Sequence, residues 1–476
     1  MTKKKMYAMI SLIALTLLVG IAGCNNREKT APKSDSPVVI TLWHSYNAVA
    51  KIQFDKLIQE FNDTVGLEKD IIVDAKGYGS SDELEEVLYA SANRMIGSEP
   101  LPDIFASYPD SAYRLDKLAP LVPLERYFTA EEFQKYQPEF LEEGVWDEEG
   151  HHKMLPVAKS TELLYLNKTD WERFSEETGV SKAQLGSWEG LAEVAELYYG
   201  WSGGKPFLGM NYYNDFSVMA AAQLGETIYG DSGRFEFSRE AARKAWEAYY
   251  VPHVMGWYES REYNQDGVKS GKLMAYIGSS AGAGFFPGEI IENEEKSYPI
   301  ECECFPYPTF DGGTGYMTQR GADMGVFASD GIREEAACEF LKWFTAPEQN
   351  IRFAVATGYL PVEEKALESV PELLNHVDRT NNAEAIGSSI RVFLDARKQR
   401  PFYIKKAFEG SYDKNKFFAE SLENKTVEAQ DIMKRRLGNG EIKEDVQSDL
   451  LSEDCFSRWY DSLIKEMAGI TDGEKD

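Results

Sequence analysis

The chain has 476 residues, 43% hydrophobic and 13% aromatic, with 51 lysines and arginines against 79 aspartates and glutamates, a formal net charge of −28. A surface this acidic excludes nucleic acid and excludes docking on anionic lipid through the protein itself, and it limits long-range steering of a strongly anionic solute. The length is more than one hydrophobic core usually holds, so two lobes or domains are expected.

At the N-terminus Lys3, Lys4 and Lys5 precede an apolar run from Met6 to Ala22 that only Ser11, Thr16 and Gly20 interrupt. The run is too short and too poorly flanked for a lasting transmembrane helix, and no other stretch approaches spanning length. It ends in Ile21-Ala22-Gly23-Cys24, which resembles the bacterial lipobox, where a peptidase cuts before the cysteine and the sulfur carries a diacylglycerol. That resemblance implies a lipoprotein signal peptide over residues 1–23 and lipid attachment at Cys24. It also implies a place on the extracellular face of the cell membrane, with the lipid as the only membrane contact. The plainer alternative is a secretory signal followed by a chance cysteine. Loss of residues 1–23 removes three lysines and no acid, leaving 48 basic against 79 acidic residues, net −31. Residues 24–37 are polar, contain Pro32, Lys33 and Ser34, and read as a flexible tether.

Residues 38–46 (VVITLWHSY) read as a β-branched strand running into a loop. Phe54, Leu57, Ile58, Phe61 and Val65 then recur at helical steps. Ile71-Ile72-Val73 is a second strand closed by Gly77 and Gly79, and Asp82 is placed to cap a helix continued by Leu84, Val87, Leu88 and Met95. Residues 101–109 (LPDIFASYP) are a third strand. This alternation predicts βαβ units and a parallel sheet. Ligands of such sheets sit beyond the carboxyl ends of the strands, which singles out the Trp43–Tyr46 loop, the Gly77–Asp82 turn and the Tyr108–Tyr113 segment. The middle of the chain is mainly helical, with helices from Trp188, over Phe216–Leu224 and over Ala241–Tyr250. A short strand, Leu273–Ile277, runs into Gly278-Ser279-Ser280-Ala281-Gly282, and the last helices end with Trp459, Leu463 and Ile464.

Cys302 and Cys304 sit two apart in a strand and face the same way, which is neither a redox motif nor a metal site. Buried free thiols are the default there, and a disulfide from either to Cys338 or Cys455 stays open in an exported protein. Enzyme signatures are scarce. No Gly-x-Ser-x-Gly elbow, His-Glu-x-x-His pair or phosphate loop occurs, and carboxylate pairs for a glycoside hydrolase are too plentiful to discriminate. His151-His152, among acidic residues, suggest either a metal or, more simply, an exposed turn. Neither cofactor nor metal is expected.

Seven segments in order resemble the family 1 extracellular solute-binding proteins, which include maltodextrin and glycerol-3-phosphate binders. They are TLWHSY (41–46), PDIFASYPDSAYRLDKLAPLVPL (102–124), LPVAKSTELLYLNKTDWERF (155–174), KSGKLMAYIGSS (269–280), FPYPTFDGG (305–313), ACEFLKWFTAPEQN (337–350) and ATGYLPV (356–362). The resemblance implies an α/β, two-lobed periplasmic-binding-protein-like fold of type II, its lobes joined by hinge-crossing segments near Val157–Glu162, Glu303–Pro308 and Thr357–Pro361. Lobe one would hold 38–156 and 307–356, and lobe two 157–306 and 357–470. It implies a monomer that captures a sugar or polyol and hands it to ABC transporter permease subunits by clamp closure, not an enzyme. An exported polysaccharide hydrolase and a ligand-sensing co-receptor are the rival classes.

A sugar asks its site for flat aromatic faces and for planar polar groups to pair with hydroxyls. Trp43, His44 and Ser45 offer both, unless Trp43 is core and His44 a satisfied neighbour. Gly278, Ser279 and Ser280 can present backbone N–H groups and hydroxyls. The resemblance adds Gly79, Ser80 and Asp82, then Tyr108 and Asp110, then Ser160 and Thr161 beside Lys159 at the first crossing. It also adds Tyr212, Tyr213 and Asp215 in an aromatic polar cluster, Gly321 after Gln319 and Arg320, and Tyr359 at the third crossing. Glycerol-3-phosphate binders carry an arginine in the segment corresponding to Asn381–Ser389, and here that stretch has none. Arg391, Arg320 or Lys159 would have to substitute, so a neutral carbohydrate is favoured over a phosphorylated polyol.

Overall fold

The computed structural model describes residues 36–210, 215–229, 234–261, 263–293, 296–374 and 381–470; Cys24 with the apolar run before it, and Tyr212 with Tyr213, lie outside the described residues. Strand β1 (Val38–His44) leads to helix α1 (Ala48–Asp63), whose Phe54, Leu57, Ile58 and Phe61 form the buried stripe that the helical spacing predicts. Val65 falls outside it, opening a separate short helix. After β2 (Ile71–Gly77), helix α2 (Ser81–Ala92) is capped by Ser80, whose Oγ accepts the Glu83 N–H at 3.1 Å. Asp82, the expected cap, falls in the first turn, and Met95, expected to continue the apolar stripe, lies past the helix end and is 58% exposed. Strand β3 (Ile104–Ser107), helix α3 (Pro109–Leu118) and the short β4 (Met154–Leu155) follow.

The next stretch holds β5 (Glu162–Asn167), α4 (Lys168–Thr178), α5 (Trp188–Trp201), β6 (Leu208–Met210), α6 (Phe216–Gln223), α7 (Arg239–Met255), β7 (Tyr258–Ser260) and β8 (Ala275–Ser279). A hairpin of β9 (Glu289–Asn293) and β10 (Lys296–Pro299) precedes β11 (Cys302–Pro306). Then come β12 (Asp323–Val326), α8 (Gly331–Thr345), α9 (Pro347–Thr357), α10 (Glu364–Leu374), α11 (Asn381–Ala396), the long α12 (Ser411–Gly438) and α13 (Glu453–Gly469). Ser187, Ser238, Asp330 and Ser452 each accept a backbone N–H at a helix start, where short oxygen-bearing side chains are worth about 1 kcal/mol. Among the described residues no helix is long and apolar enough to cross a membrane.

The strands form two five-stranded sheets. In the first, ordered β2-β1-β3-β12-β4, β1 and β3 run parallel as the sequence predicts. The sheet is mixed, however, because β12 returns from much later in the chain and pairs antiparallel with both β3 and β4. The second, β11-β5-β8-β6-β7, has β5 antiparallel to both of its neighbours and β6 parallel to β7 and β8. Rings of Phe54, Phe344 and Phe353 pack edge to face over the first sheet, with Phe54 5.1 Å from Phe344. Trp171, Trp188 and Trp246 anchor the core of the second.

The chain leaves the first sheet after Leu155 and joins the second at Glu162; it leaves the second after Pro306 and rejoins the first at Asp323. Where these passages meet, Ser160 and Arg320 exchange backbone hydrogen bonds of 2.7 and 2.8 Å, and Lys159 and Leu360 exchange bonds of 3.1 and 2.6 Å. Two glycines make this lacing possible. Gly321, at φ +90°, would set a Cβ 2.4 Å from the Ala158 carbonyl oxygen, and Gly358, at φ +82°, would set one 2.4 Å from that of Ser280. Beyond it the Glu364 N–H donates to the Lys135 carbonyl at 2.9 Å, so the third segment runs on along the first sheet's side.

Candidate binding cleft

Beside this laced layer lies a cavity of about 860 Å³. The carboxyl ends of β1 and β3 and the start of α2 supply Ser45, Ser80 and Tyr108 from one lobe, the end of β8 and the turn after it supply Ser279, Ala281 and Gly282 from the other, and the passages supply Ser160, Gly321 and Tyr359. Ser45, Gly79, Ser80, Tyr108, Ser160, Ser279, Gly321 and Tyr359, all singled out from sequence, therefore share one cavity. Ser279 Oγ donates to Ser160 Oγ at 3.0 Å, joining the two sides, and Ser45 Oγ lies 3.3 Å from Ser81 Oγ. Tyr359 stands edge-on to Tyr46, with centroids 5.8 Å apart.

The other candidates sit elsewhere. Trp43 is 5% exposed, edge-on to Tyr78 at 5.4 Å with the Lys76 ammonium 5.6 Å from its ring. His44 is buried against Phe54, and its Nδ1 accepts the Tyr46 N–H at 3.1 Å. Burial drives its pKa down to about 4, Asp55 opposing and Lys51 assisting, so the ring is neutral at physiological pH. Asp110 is buried at the start of α3, 3.2 Å from Lys405 Nζ and 3.4 Å from Asn415 Nδ2. Thr161 is buried in the first passage and Ser280 at the start of the turn after β8, and the Thr161 N–H donates to Ser280 Oγ at 3.3 Å. Asp82 is not among the cavity-lining residues, and Tyr212 and Tyr213 lie outside the described residues.

Three lining residues lie where strand-end reasoning does not reach. Tyr263 and Phe285 are 62% and 54% exposed yet stand on the cavity wall, and Ile386 reaches it from α11. Arg320 also lines it, its Nη1 3.2 Å from Asp215 Oδ2. Asp215 thus supports the cleft from behind. Burial raises its carboxyl, but Lys405 and Arg320 outweigh burial and hold it below the usual carboxylate range. Arg391 is not among the lining residues.

Lys159, the third cation considered for a phosphate, is spent on structure. It is buried, with Nζ 2.9 Å from Glu143 Oε2 and 2.7 Å from Asp323 Oδ1. Burial pushes the Glu143 carboxyl up to about 7, Lys159 pulling it down and Asp323 pushing it further up; burial raises Asp323 too. Burial disfavours the Lys159 ammonium, but Asp323 and Glu143 outweigh it and hold it charged.

Away from the cleft, Asp147, Glu149 and His151 bring ligand atoms within 4.8 Å of one another on a partly exposed turn, where the Lys153 ammonium stands 3.7 Å from Asp147. Cys302, Cys304, Cys338 and Cys455 are free thiols, the first two with sulfurs 3.8 Å apart.

A family model described as bacterial extracellular solute-binding protein matches residues 56–377. Against curated protein sequences nothing matches. Among solved structures, the fold is similar to that of a cyclic α-maltosyl-1,6-maltose binding protein from Arthrobacter globiformis, at 17% identity and a TM-score of 0.64, covering 90% of this chain and 100% of that one. It is similar to UgpB from Mycobacterium tuberculosis in complex with glycerophosphocholine, at 19% identity and a TM-score of 0.63, with 90% and 100% covered. An ABC substrate-binding protein from Listeria monocytogenes in complex with cycloalternan is similar at 13% identity and a TM-score of 0.64, with 92% and 100% covered.

Proposed function

The chain belongs to the bacterial extracellular solute-binding proteins, and from that premise we propose that it captures a carbohydrate and delivers it to the permease of an ABC importer by closing its lobes. The observation that carries this reading is the cleft. Hydroxyls of Ser45, Ser80, Ser160 and Ser279 share one cavity with the rings of Tyr108 and Tyr359, the mixture a sugar's hydroxyl edges and C–H faces require. Closure on a ligand that touches both lobes is then a shift of the open–closed equilibrium, driven by contacts made only in the closed form.

Charge supports a neutral ligand. Arg320 is already matched by Asp215 and Lys405 by Asp110, with Glu162 buried nearby, so little positive charge is left over for a phosphate. Two of the similar structures are named for carbohydrate ligands, which points the same way. A second reading, a glycerophosphodiester, is favoured by Arg320 on the cavity wall and by the glycerophosphocholine held by the Mycobacterium tuberculosis protein. In either case the ligand is released unchanged, and the protein works as a monomer tethered outside the cytoplasm by lipid on Cys24.

The test is thermal unfolding of the full chain in detergent, followed by tryptophan fluorescence. The ligands are mono- and oligosaccharides, glycerol-3-phosphate and glycerophosphocholine. A ligand at a hundredfold excess over its dissociation constant adds about 2.7 kcal/mol to the native state and raises the melting temperature. A rise with neutral sugars alone is the expected result. A rise confined to the phosphorylated compounds transfers the assignment to the second reading, and Arg320→Ala would then abolish it.

A further inference from the structure

The cleft does not end at its first compartment. A second cavity of about 960 Å³ continues from it along the second lobe, sharing Asn47, Tyr263, Gly282, Gly284 and Phe285 with the first. Its far wall is built from the short helix Asn264–Lys269 and the β9–β10 hairpin. Pockets for drug-sized ligands run roughly 300–1,000 Å³. The first compartment therefore already approaches the upper end of that range, and the second nearly repeats it.

The wall chemistry is continuous across the junction. Tyr263 and Phe285, 62% and 54% exposed, stand where the compartments meet, so flat aromatic faces are offered at the point a chain molecule must pass. Beyond them Gln265, Lys269 and Ser297 bring an amide, an ammonium and a hydroxyl to the same cavity. Charges of both signs line this groove, Asp266 and Glu289 beside Lys269, so it has no net preference for an anion. An apolar peptide would leave these polar groups unpaired, whereas a second run of sugar rings presents faces to the aromatics and hydroxyls to the polar groups.

We infer that the second compartment holds further units of the same ligand, so that the solute is an oligosaccharide spanning both compartments rather than a mono- or disaccharide. The inference rests on the carbohydrate reading above. Its test is titration calorimetry of the full chain with maltose through maltohexaose and with cello- and xylo-oligosaccharides of the same lengths. In the series that binds, the tetrasaccharide is expected to bind at least tenfold more tightly than the disaccharide. Gln265→Ala and Lys269→Ala, on residues that line only the second compartment, are expected to weaken the tetrasaccharide at least threefold more than the disaccharide. Equal affinities for two and four units, or equal weakening of both by the variants, would overturn the inference while leaving carbohydrate binding in place. No binding by any series would remove the carbohydrate reading itself, and this inference with it.

Discussion

Replacing Glu162 by glutamine is expected to stabilise the protein above pH 7 and to change it little near pH 5. Glu162 opens β5 directly after the first passage, is 6% exposed, and its Oε2 has no hydrogen-bond partner among the described residues. Burial pushes its carboxyl from the ordinary 4.5 up to about 7; Arg320 pulls it down and Asp215 pushes it further up. Between those two values the folded protein keeps a proton that the unfolded chain has lost. Stability therefore falls as pH rises through this window, and the whole penalty is present above pH 7. At about 1.36 kcal/mol per unit of pKa the gap amounts to about 3 kcal/mol. Glutamine keeps the shape and removes the charge, so the variant's advantage should grow from under about 1 kcal/mol at pH 5 to about 3 kcal/mol at pH 8. Other groups titrate in the same range: Glu143 acts in the same sense, and buried His44 and His253, both near 4, act in the opposite one. They are common to both chains and cancel in the difference. Urea unfolding of both chains at pH 5, 6, 7 and 8 measures it. A difference independent of pH, or a wild type that is more stable at pH 8, would refute the reasoning.

The remaining predictions concern the laced layer. Lys159→Met strands Glu143 and Asp323 in the interior without their cation, and should cost about 3–5 kcal/mol at pH 8 and less as the pH falls, since burial raises both carboxyls. The same urea titration checks it, and a loss under about 1 kcal/mol at pH 8 would show that the triad is unimportant. Gly321→Ala forces an L side chain to φ +90° and drives its Cβ toward the Ala158 carbonyl, which the Ser160–Arg320 pairing holds in place. It should cost at least about 1–3 kcal/mol from strain alone. Gly312→Ala, at φ +75° with nothing within 4 Å, bears only the backbone strain and should melt at a clearly higher temperature than Gly321→Ala. Equal melting temperatures would show that the close approach is absent.

Much of the cleft was legible because topology places it. Ser45, Ser80 and Tyr108 follow strands or open helices in βαβ units, and residues just beyond strand ends have nowhere to go but the crevice. Trp43 and His44 misled for a related reason. Period-two alternation says which residues share a face, but a strand covered on both faces buries both sets, and β1 buries Leu42, Trp43 and His44 in succession. Asp82 lost the cap to Ser80 because the helix begins two residues earlier than Asp82 requires, and a serine at the N-cap reaches its third amide. Tyr263 and Phe285 had no local signal. They stand in polar or glycine-rich stretches, Phe285 directly before Phe286, and only the packing of a short helix beside the turn after β8 sets them on one wall.

By itself, then, the sequence determined the α/β class, the helix and strand periods, and the two kinds of surface the cleft would show, since these follow from side-chain chemistry at short range. The tertiary structure decided the ion pairing. Lys159 was drawn inward by Glu143 and Asp323, and Arg320 was partnered by Asp215, across separations of 16 to 164 residues. Which cation remains available to a ligand is a question of distance in space, because Coulomb energy depends on separation and burial, and neither is written along the chain.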